Sequence, residues 1–379
     1  MNAEATMMPM TVRQVAEAVQ GRLIVPQTGD GVEDGADALA TSAVSDSRQV
    51  REGSVFVAIA GERVDGHDFV ARAGESGAVV ALVQHEVDAP VAQIVVPDTV
   101  DALGLLAKAN IAARRAVGTP FTLIGITGSV GKTTTKDLMA ALLSTLGPTV
   151  APVGSFNNEI GLPLTALKVG RDTRFFVAEM GASHVGEITR LTTIAPPDIA
   201  VVLKVGCAHL GEFGSVERIA QAKSEIVQGL VPDGLAVLNV DDAHVAAMAP
   251  LAPQGHVFWF GMAGDDAEAS AGNAASGKSD ALFASDVRTD DGDRPSFTLE
   301  RADGGTAHVQ LAIRGTHNVM NALAAAQQDY QRFYDAEIQL RRLRRDPPFA
   351  DQFTVTVTGQ EEDAVRQAVL QQRPDVILH

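Results

Sequence analysis

An α/β fold, with a central parallel sheet covered by helices on both faces and a smaller α/β domain ahead of it, is what this chain predicts. Three observations carry the prediction. From Phe121 to about residue 260, apolar runs of strand length alternate with amphipathic stretches of helix length. Residues 121–136 read FTLIGITGSVGKTTTK, a strand, a glycine loop, a Lys-Thr pair and a helix start. Residues 1–118 repeat the alternation on a smaller scale, and Gly118–Pro120 reads as a boundary.

The elements follow in order. Thr11 caps a short amphipathic helix over 11–20. Strands read at 43–45, 54–59, 78–83 and 93–96, with helices at 68–76 and 99–117. After the boundary, strands read at 121–127, 174–179, 198–203, 235–239 and 256–260. Helices between them read at 131–146, 185–194, 215–229 and 242–249. Residues 263–280 are rich in Gly, Ala, Ser and Asp and read as a loop. Three β-like runs at 281–288, 295–301 and 306–313 suggest a meander, and a helix starts near His317. The composition then changes: residues 327–379 hold both tyrosines of the chain and no lysine, with a basic cluster at Arg341, Arg342, Arg344 and Arg345. A helix at 328–345, a strand at 352–358, a helix at 361–373 and a last strand at 375–378 are expected there. Three domains result: 1–118, 119–326 and 327–379.

Composition narrows the function. A length of 379 residues and 46% hydrophobic content suffice for two or three cores. A net charge of −17 argues against a general nucleic-acid or anionic-membrane surface. The single Cys207 excludes an internal disulfide and fits a reducing cytosol. No apolar run approaches the ~18 residues of a membrane span. The first ten residues, MNAEATMMPM, lack the pattern of a secretion signal, so a cytoplasmic location is expected.

The glycine loop carries the strongest chemical signal. Gly128, Ser129, Val130, Gly131, Lys132, Thr133 and Thr134 form an anion cradle, where backbone amides and a helix N-terminus converge on phosphate oxygens. Lys132 can reach the β- and γ-phosphates and the Thr133 hydroxyl can ligate Mg²⁺. The general P-loop pattern wants Gly where Ile126 stands; here the glycine is displaced to Gly125. Glu179 ends a strand beside this loop, either a metal-holding carboxylate or a solvated strand-end acid. His209 stands at the same sheet edge, as a structural hydrogen-bonder or a ligand. Lys223 lies on the following helix, where lysines are commonly solvated. Ser155-Phe-Asn-Asn is a donor-rich loop whose Asn157 and Asn158 either cap the next helix or bind a ligand. Ser47 and Arg48, in SDSR, and the turn DGHDF are ordinary turns or contacts for a pyrophosphate or uracil edge.

Taken in order, SDSR, DGHDF, ITGSVGKTTTK, FNNEIGLP, AEMGASHVGEI, VGCAHLGEFGS, AKSEI and GTHNVMNALAAA resemble the Mur ligases, the ATP-dependent amide-forming enzymes of peptidoglycan assembly. The resemblance runs from about Met10 to Ala326, and FNNEIGLPLT with EMGA favours the MurF type. It implies a monomeric enzyme that takes ATP and two Mg²⁺ ions. It implies joining of D-Ala-D-Ala to UDP-N-acetylmuramoyl-tripeptide through an acyl phosphate. Residues 128–134 would hold phosphates; Thr133 and Glu179 one Mg²⁺; His209 and a carbamylated Lys223 the second. Lys132, His209 and Lys223 would thus be the catalytic set. Asn318 and Asn321 match adenine contacts, Ser47 and Arg48 the UDP stretch, Asn157 and Asn158 a muramoyl or nucleotide contact. Lys204 stands where many members carry Asn.

Residues 327–379 instead resemble the C-terminal part of the primosomal helicase PriA family, in DY..FY..E...R...PPF. The expectation is a chimera that lacks the Mur ligases' third, Rossmann-like domain. Ligation is then expected to be impaired, and a nucleotide- or UDP-sugar-binding remnant without ligase activity is the alternative. A DNA-processing ATPase, suggested by the loop and tail together, is opposed by the acidic charge and the lack of helicase motifs.

Overall fold

The computed structural model describes residues 6–26, 35–61, 64–206, 210–263, 280–302 and 304–326. The readings for 327–379, for most of the 263–280 loop, and for Cys207 and His209 lie outside these residues. The chain divides into two units, Met1–Phe258 and Trp259 onwards, and the division falls within one strand.

The first unit opens with β1 (Met10–Thr11) and α1 (Val12–Val19). Thr11 caps α1 through a reciprocal pair with Gln14, and Val12, Val15, Ala16 and Val19 fall on one buried stripe. β2 (Arg22–Ile24), β3 (Leu39–Ala40), β4 (Ser42–Val44), β5 (Ser54–Val57), α2 (Val70–Glu75), β6 (Ala78–Val83), β7 (Ala92–Val95) and α3 (Thr99–Ala116) follow. The sheet order is β2-β7-β6-β5-β4, parallel except at β2.

The central sheet is built from β8 (Thr122–Thr127), β9 (Thr149–Val150), β10 (Phe175–Glu179), β11 (Ile199–Val202) and β12 (Leu235–Asn239). Their order is β12-β11-β8-β10-β9, parallel throughout. Leu123, Ile124 and Ile126 are all fully buried, so both faces of β8 are covered. The connecting helices are α4 (Lys132–Leu143), α5 (Gly161–Ala166), α6 (Glu187–Ile194), α7 (Leu210–Phe213), α8 (Val216–Gln228) and α9 (Ala243–Ala246). Arg114, 1% exposed, binds this sheet to α3: its guanidinium donates to the carbonyls of Thr119, Pro120 and Thr173.

The second unit begins within β13 (Val257–Met262), whose Trp259–Met262 pair in parallel with β14 (Ala281–Thr289). β14, β15 (Pro295–Arg301) and β16 (Thr306–Gln310) form the expected antiparallel meander. α10 (Asn318–Ala326) packs on β14 and β15.

The predicted α/β class with a parallel core is what the structure shows. Local differences have local causes. β2 and β9, of three and two residues, are too short to show a periodicity in the sequence. The helix expected over 242–249 stops at Ala246 and gives way to a 3₁₀ turn at Ala249–Leu251. Pro250 lacks the N–H and disfavours helix at the residue before it.

Candidate active site

The site grows from the carboxyl edge of the central sheet. β8 is the first strand of the central sheet in chain order yet lies in its middle, with β10 and β9 on one side and β11 and β12 on the other. The chain leaves β8 where the strand order reverses, the crevice in which open α/β sheets bind ligands. Gly131 turns the loop into α4 at φ 86°, a left-handed backbone that a side chain would strain. No side chain caps α4, which leaves its first amides to a ligand. The loop is pinned to the exit of β11. Ser129 N–H donates to the Lys204 carbonyl at 2.8 Å, and Gly206 N–H donates to Ser129 Oγ at 2.9 Å.

Lys132 folds back over this loop, its Nζ donating to the Gly128 carbonyl at 2.9 Å. Burial lowers its pKa from the ordinary value, and the charge of Glu179 opposes that shift. Glu179 itself is 0% exposed. Thr133 Oγ1 donates to its Oε2 at 3.0 Å; Ser155 Oγ and Asn157 Nδ2 donate to its Oε1, each at 2.8 Å. The solvated strand-end reading of Glu179 therefore falls. A buried carboxylate and a hydroxyl side by side at the cradle are hard oxygen donors, and they fit a magnesium-sized cation.

Lys136 supports this cluster from α4. It is 1% exposed, and its Nζ donates to the carbonyls of Pro152 and Gly154 at 2.8 and 3.0 Å. That holds the segment leading into Ser155. Asn157 meets Glu179, while Asn158 Oδ1 accepts the N–H of Gly161, the first residue of α5, at 2.9 Å, as the capping reading expects.

Lys223 is 4% exposed, not solvated. It shares the buried stripe of α8 with Ile219, Ala222 and Ile226. Burial, then the charge of Lys132, brings its pKa down from 10.5 to about 8. Two residues on, Glu225 accepts Gly186 N–H at 2.6 Å and Thr189 N–H at 2.8 Å. This caps α6 with a carboxylate and ties α8 to the segment that leaves β10 after Glu179.

The remaining candidates are placed as follows. Arg48 spends its fork on Asp46, with Nε and Nη2 at 2.9 and 2.6 Å, in the 3₁₀ turn Ser47–Gln49. That bond holds the Asp46 carboxyl down at about 2. Asn318 and Asn321 lie in the second unit, both buried. Asn318 Nδ2 donates to the Arg314 carbonyl and Asn321 Nδ2 to Asn318 Oδ1. The sequence marks Ser155 only as part of a donor-rich loop and gives Lys136 and Glu225 no role of their own. Ser155 alternates with Asn157, which puts both on one side of an extended segment. Lys136 falls one helical turn after Thr133, and either spacing was a usable signal.

A family model described as the Mur ligase middle domain matches residues 126–327, more than half of the chain. The chain belongs to the Mur ligase family. A second model, the Mur ligase family catalytic domain, matches residues 41–111. The UDP-N-acetylmuramoyl-tripeptide--D-alanyl-D-alanine ligase of Mycobacterium tuberculosis (strain H37Rv) is 44% identical over 342 residues, covering 84% of this chain and 62% of that protein. The Escherichia coli K12 protein of the same name is 34% identical over 320 residues, covering 84% and 64%. A crystal structure of MurF from Acinetobacter baumannii aligns with a TM-score of 0.72 at 33% identity, over 87% of this chain and 67% of that one. MurF ligase from Thermotoga maritima, solved with ADP, aligns with a TM-score of 0.62 at 32% identity, over 75% and 61%. The chain thus spans just under two thirds of the length of these curated Mur ligases.

Proposed function

We propose that this Mur ligase chain joins D-Ala-D-Ala to UDP-N-acetylmuramoyl-tripeptide at the expense of ATP. The observation that carries the reading is the buried Glu179 carboxylate bonded to Thr133 directly beside an uncapped, glycine-turned helix N-terminus. Relatives covering most of the chain carry this ligase name, and one solved neighbour holds ADP.

The division of labour follows. The tripeptide carboxylate attacks the γ-phosphorus, ADP leaves, and an acyl phosphate forms. The amine of D-Ala-D-Ala then attacks the acyl carbon, and inorganic phosphate leaves. Amides of residues 128–134 hold the phosphates, and Lys132 shifts from the Gly128 carbonyl to meet charge developing on transferring oxygens. Thr133 and Glu179 would hold one magnesium ion; Lys223, as a carbamate, and His209 would hold a second. Magnesium, when bound, supplies charge compensation for the phosphate oxygens. Ser155 and Asn157 keep the Glu179 carboxylate oriented, and Lys136 keeps Ser155 in place. Residues 1–118, with Ser47 and Arg48, would take the UDP end, residues 119–326 the ATP, and Asn318 and Asn321 the adenine. The setting is cytoplasmic and the working form a monomer.

Incubation of the chain with ATP, magnesium, UDP-muramoyl-tripeptide and D-Ala-D-Ala tests the proposal. Phosphate release matched by pentapeptide product supports it; nucleotide binding without product leaves the binding-remnant reading, which the comparisons do not favour. The helicase-like reading of 327–379 rests on sequence alone, and resequencing the gene across residues 320–335 tests it.

A further inference from the structure

Thr127 is unused by everything described so far. It closes β8 immediately before the glycine loop and is fully buried. Among the described residues its Oγ1 is a buried side-chain polar atom with no hydrogen-bond partner. Such orphans are rare, because an unpaired hydroxyl destabilises a fold and valine fills the same volume without one.

Its surroundings say what it waits for. Side chains alternate along a strand, so Thr127 shares a face with Gly125. A Cβ added to Gly125 would meet Ile226 Cδ1 at 3.1 Å, so this face lies under α8. α8 begins beyond the carboxyl edge of β11 and runs back across the sheet. From Ile226, one turn back toward that edge stands Lys223. From Gly125, two residues forward toward the same edge stands Thr127. The three helix residues advance about 4.5 Å and the two strand residues about 6.6 Å, so both steps lead toward that edge on the same face. Thr127 and Lys223 thus both lie toward the carboxyl edge of the face that α8 covers, and both are enclosed.

We propose that Thr127 is a positioning residue for Lys223, its hydroxyl donating a hydrogen bond to a carboxylate formed on the Lys223 amine. The inference rests on the reading of Lys223 as a carbamate. In that step the neutral Nζ lone pair attacks the carbon of dissolved CO₂, and an N–C bond forms. One C=O π pair moves onto oxygen, and one N–H proton passes to solvent. The product is an anion whose oxygens accept the Thr127 hydrogen bond. Lys132, whose charge reaches this position, then attracts the group it formerly repelled. The bond fixes which way the carbamate oxygens face.

Carbon-13 NMR of the full chain in ¹³C-bicarbonate with magnesium chloride provides the test. The wild type is expected to show a carbamate carbon that Lys223→Met lacks. Thr127→Val is expected to need about tenfold more bicarbonate for half-occupancy, and Thr127→Ser to stay within about twofold of wild type. In bicarbonate-free buffer Thr127→Val is expected to melt no lower than wild type. An unchanged titration for Thr127→Val, or a lower melting point, overturns the role of Thr127 and leaves the Lys223 reading standing. A wild type without the carbamate signal at any bicarbonate concentration removes the Lys223 reading and this inference with it.

Discussion

Replacing Lys223 by Met makes the chain more stable at neutral pH, by an amount that shrinks as pH rises. Lys223 sits at 4% exposure, and burial with the nearby Lys132 charge lowers its pKa to about 8, against 10.5 ordinarily. Below pH 8 folded and unfolded chains both hold the proton, and the folded state bears the whole cost of the buried charge. Between about 8 and 10.5 the unfolded chain binds a proton that the folded chain has released, so stability climbs with pH through that window. At about 1.36 kcal/mol per pH unit, the cost at pH 7 is on the order of 3 kcal/mol. Urea unfolding of wild type and Lys223→Met at pH 7, 8, 9 and 10, in bicarbonate-free and metal-free buffer, measures it. The stability gap should favour Met by on the order of 3 kcal/mol at pH 7 and close toward pH 10. Differences in packing between Lys and Met do not vary with pH, so the slope of the gap is decisive. A gap constant with pH would refute the assignment of a buried, cost-bearing amine.

Three further outcomes are expected. Lys132→Ala should lower ATP turnover by at least about a hundredfold with little loss of stability, seen by phosphate release alongside thermal melts. Glu179→Gln keeps an acceptor for Thr133 but removes the charge, so half-maximal nucleotide binding should need about tenfold more magnesium in a titration at fixed nucleotide. Glu225→Ala removes the acceptor for Gly186 and Thr189 at the start of α6 and should cost about 1–2 kcal/mol in chemical denaturation; no loss would mean the cap is idle.

What could be read in advance follows from how locally each feature is encoded. The cradle is contiguous: Gly128, Gly131, Lys132 and Thr133 lie in one strand-loop-helix, so their spacing alone located it. Glu179 at a strand end was equally legible, but its partners were not. Ser155 and Asn157 reach it from a separate loop held by Lys136, and that depends on tertiary packing. Strand order was hidden for the same reason, since nothing local says that β8, the first strand of the central sheet, will lie between β10 and β11. The burial of Lys223 was open to inspection, because it falls four residues after Ile219 and three before Ile226, on the apolar stripe of α8. The general expectation that helical lysines are solvated outweighed that period. Thr127 carried no signal, because a Thr closing a strand is ordinary until its hydroxyl is found without a partner.

A triphosphate seated at Gly128–Thr134 beside the Thr133–Glu179 pair is the centre of the proposed reaction. A crystal structure with magnesium and a non-hydrolysable ATP analogue examines that placement directly. The β- and γ-phosphates should lie against the amides of this loop, with Lys132 Nζ moved off the Gly128 carbonyl onto a phosphate oxygen and a metal between Thr133 Oγ1 and Glu179. Density for the nucleotide at another part of the chain, with Lys132 still on Gly128 and no metal at Glu179, would contradict it.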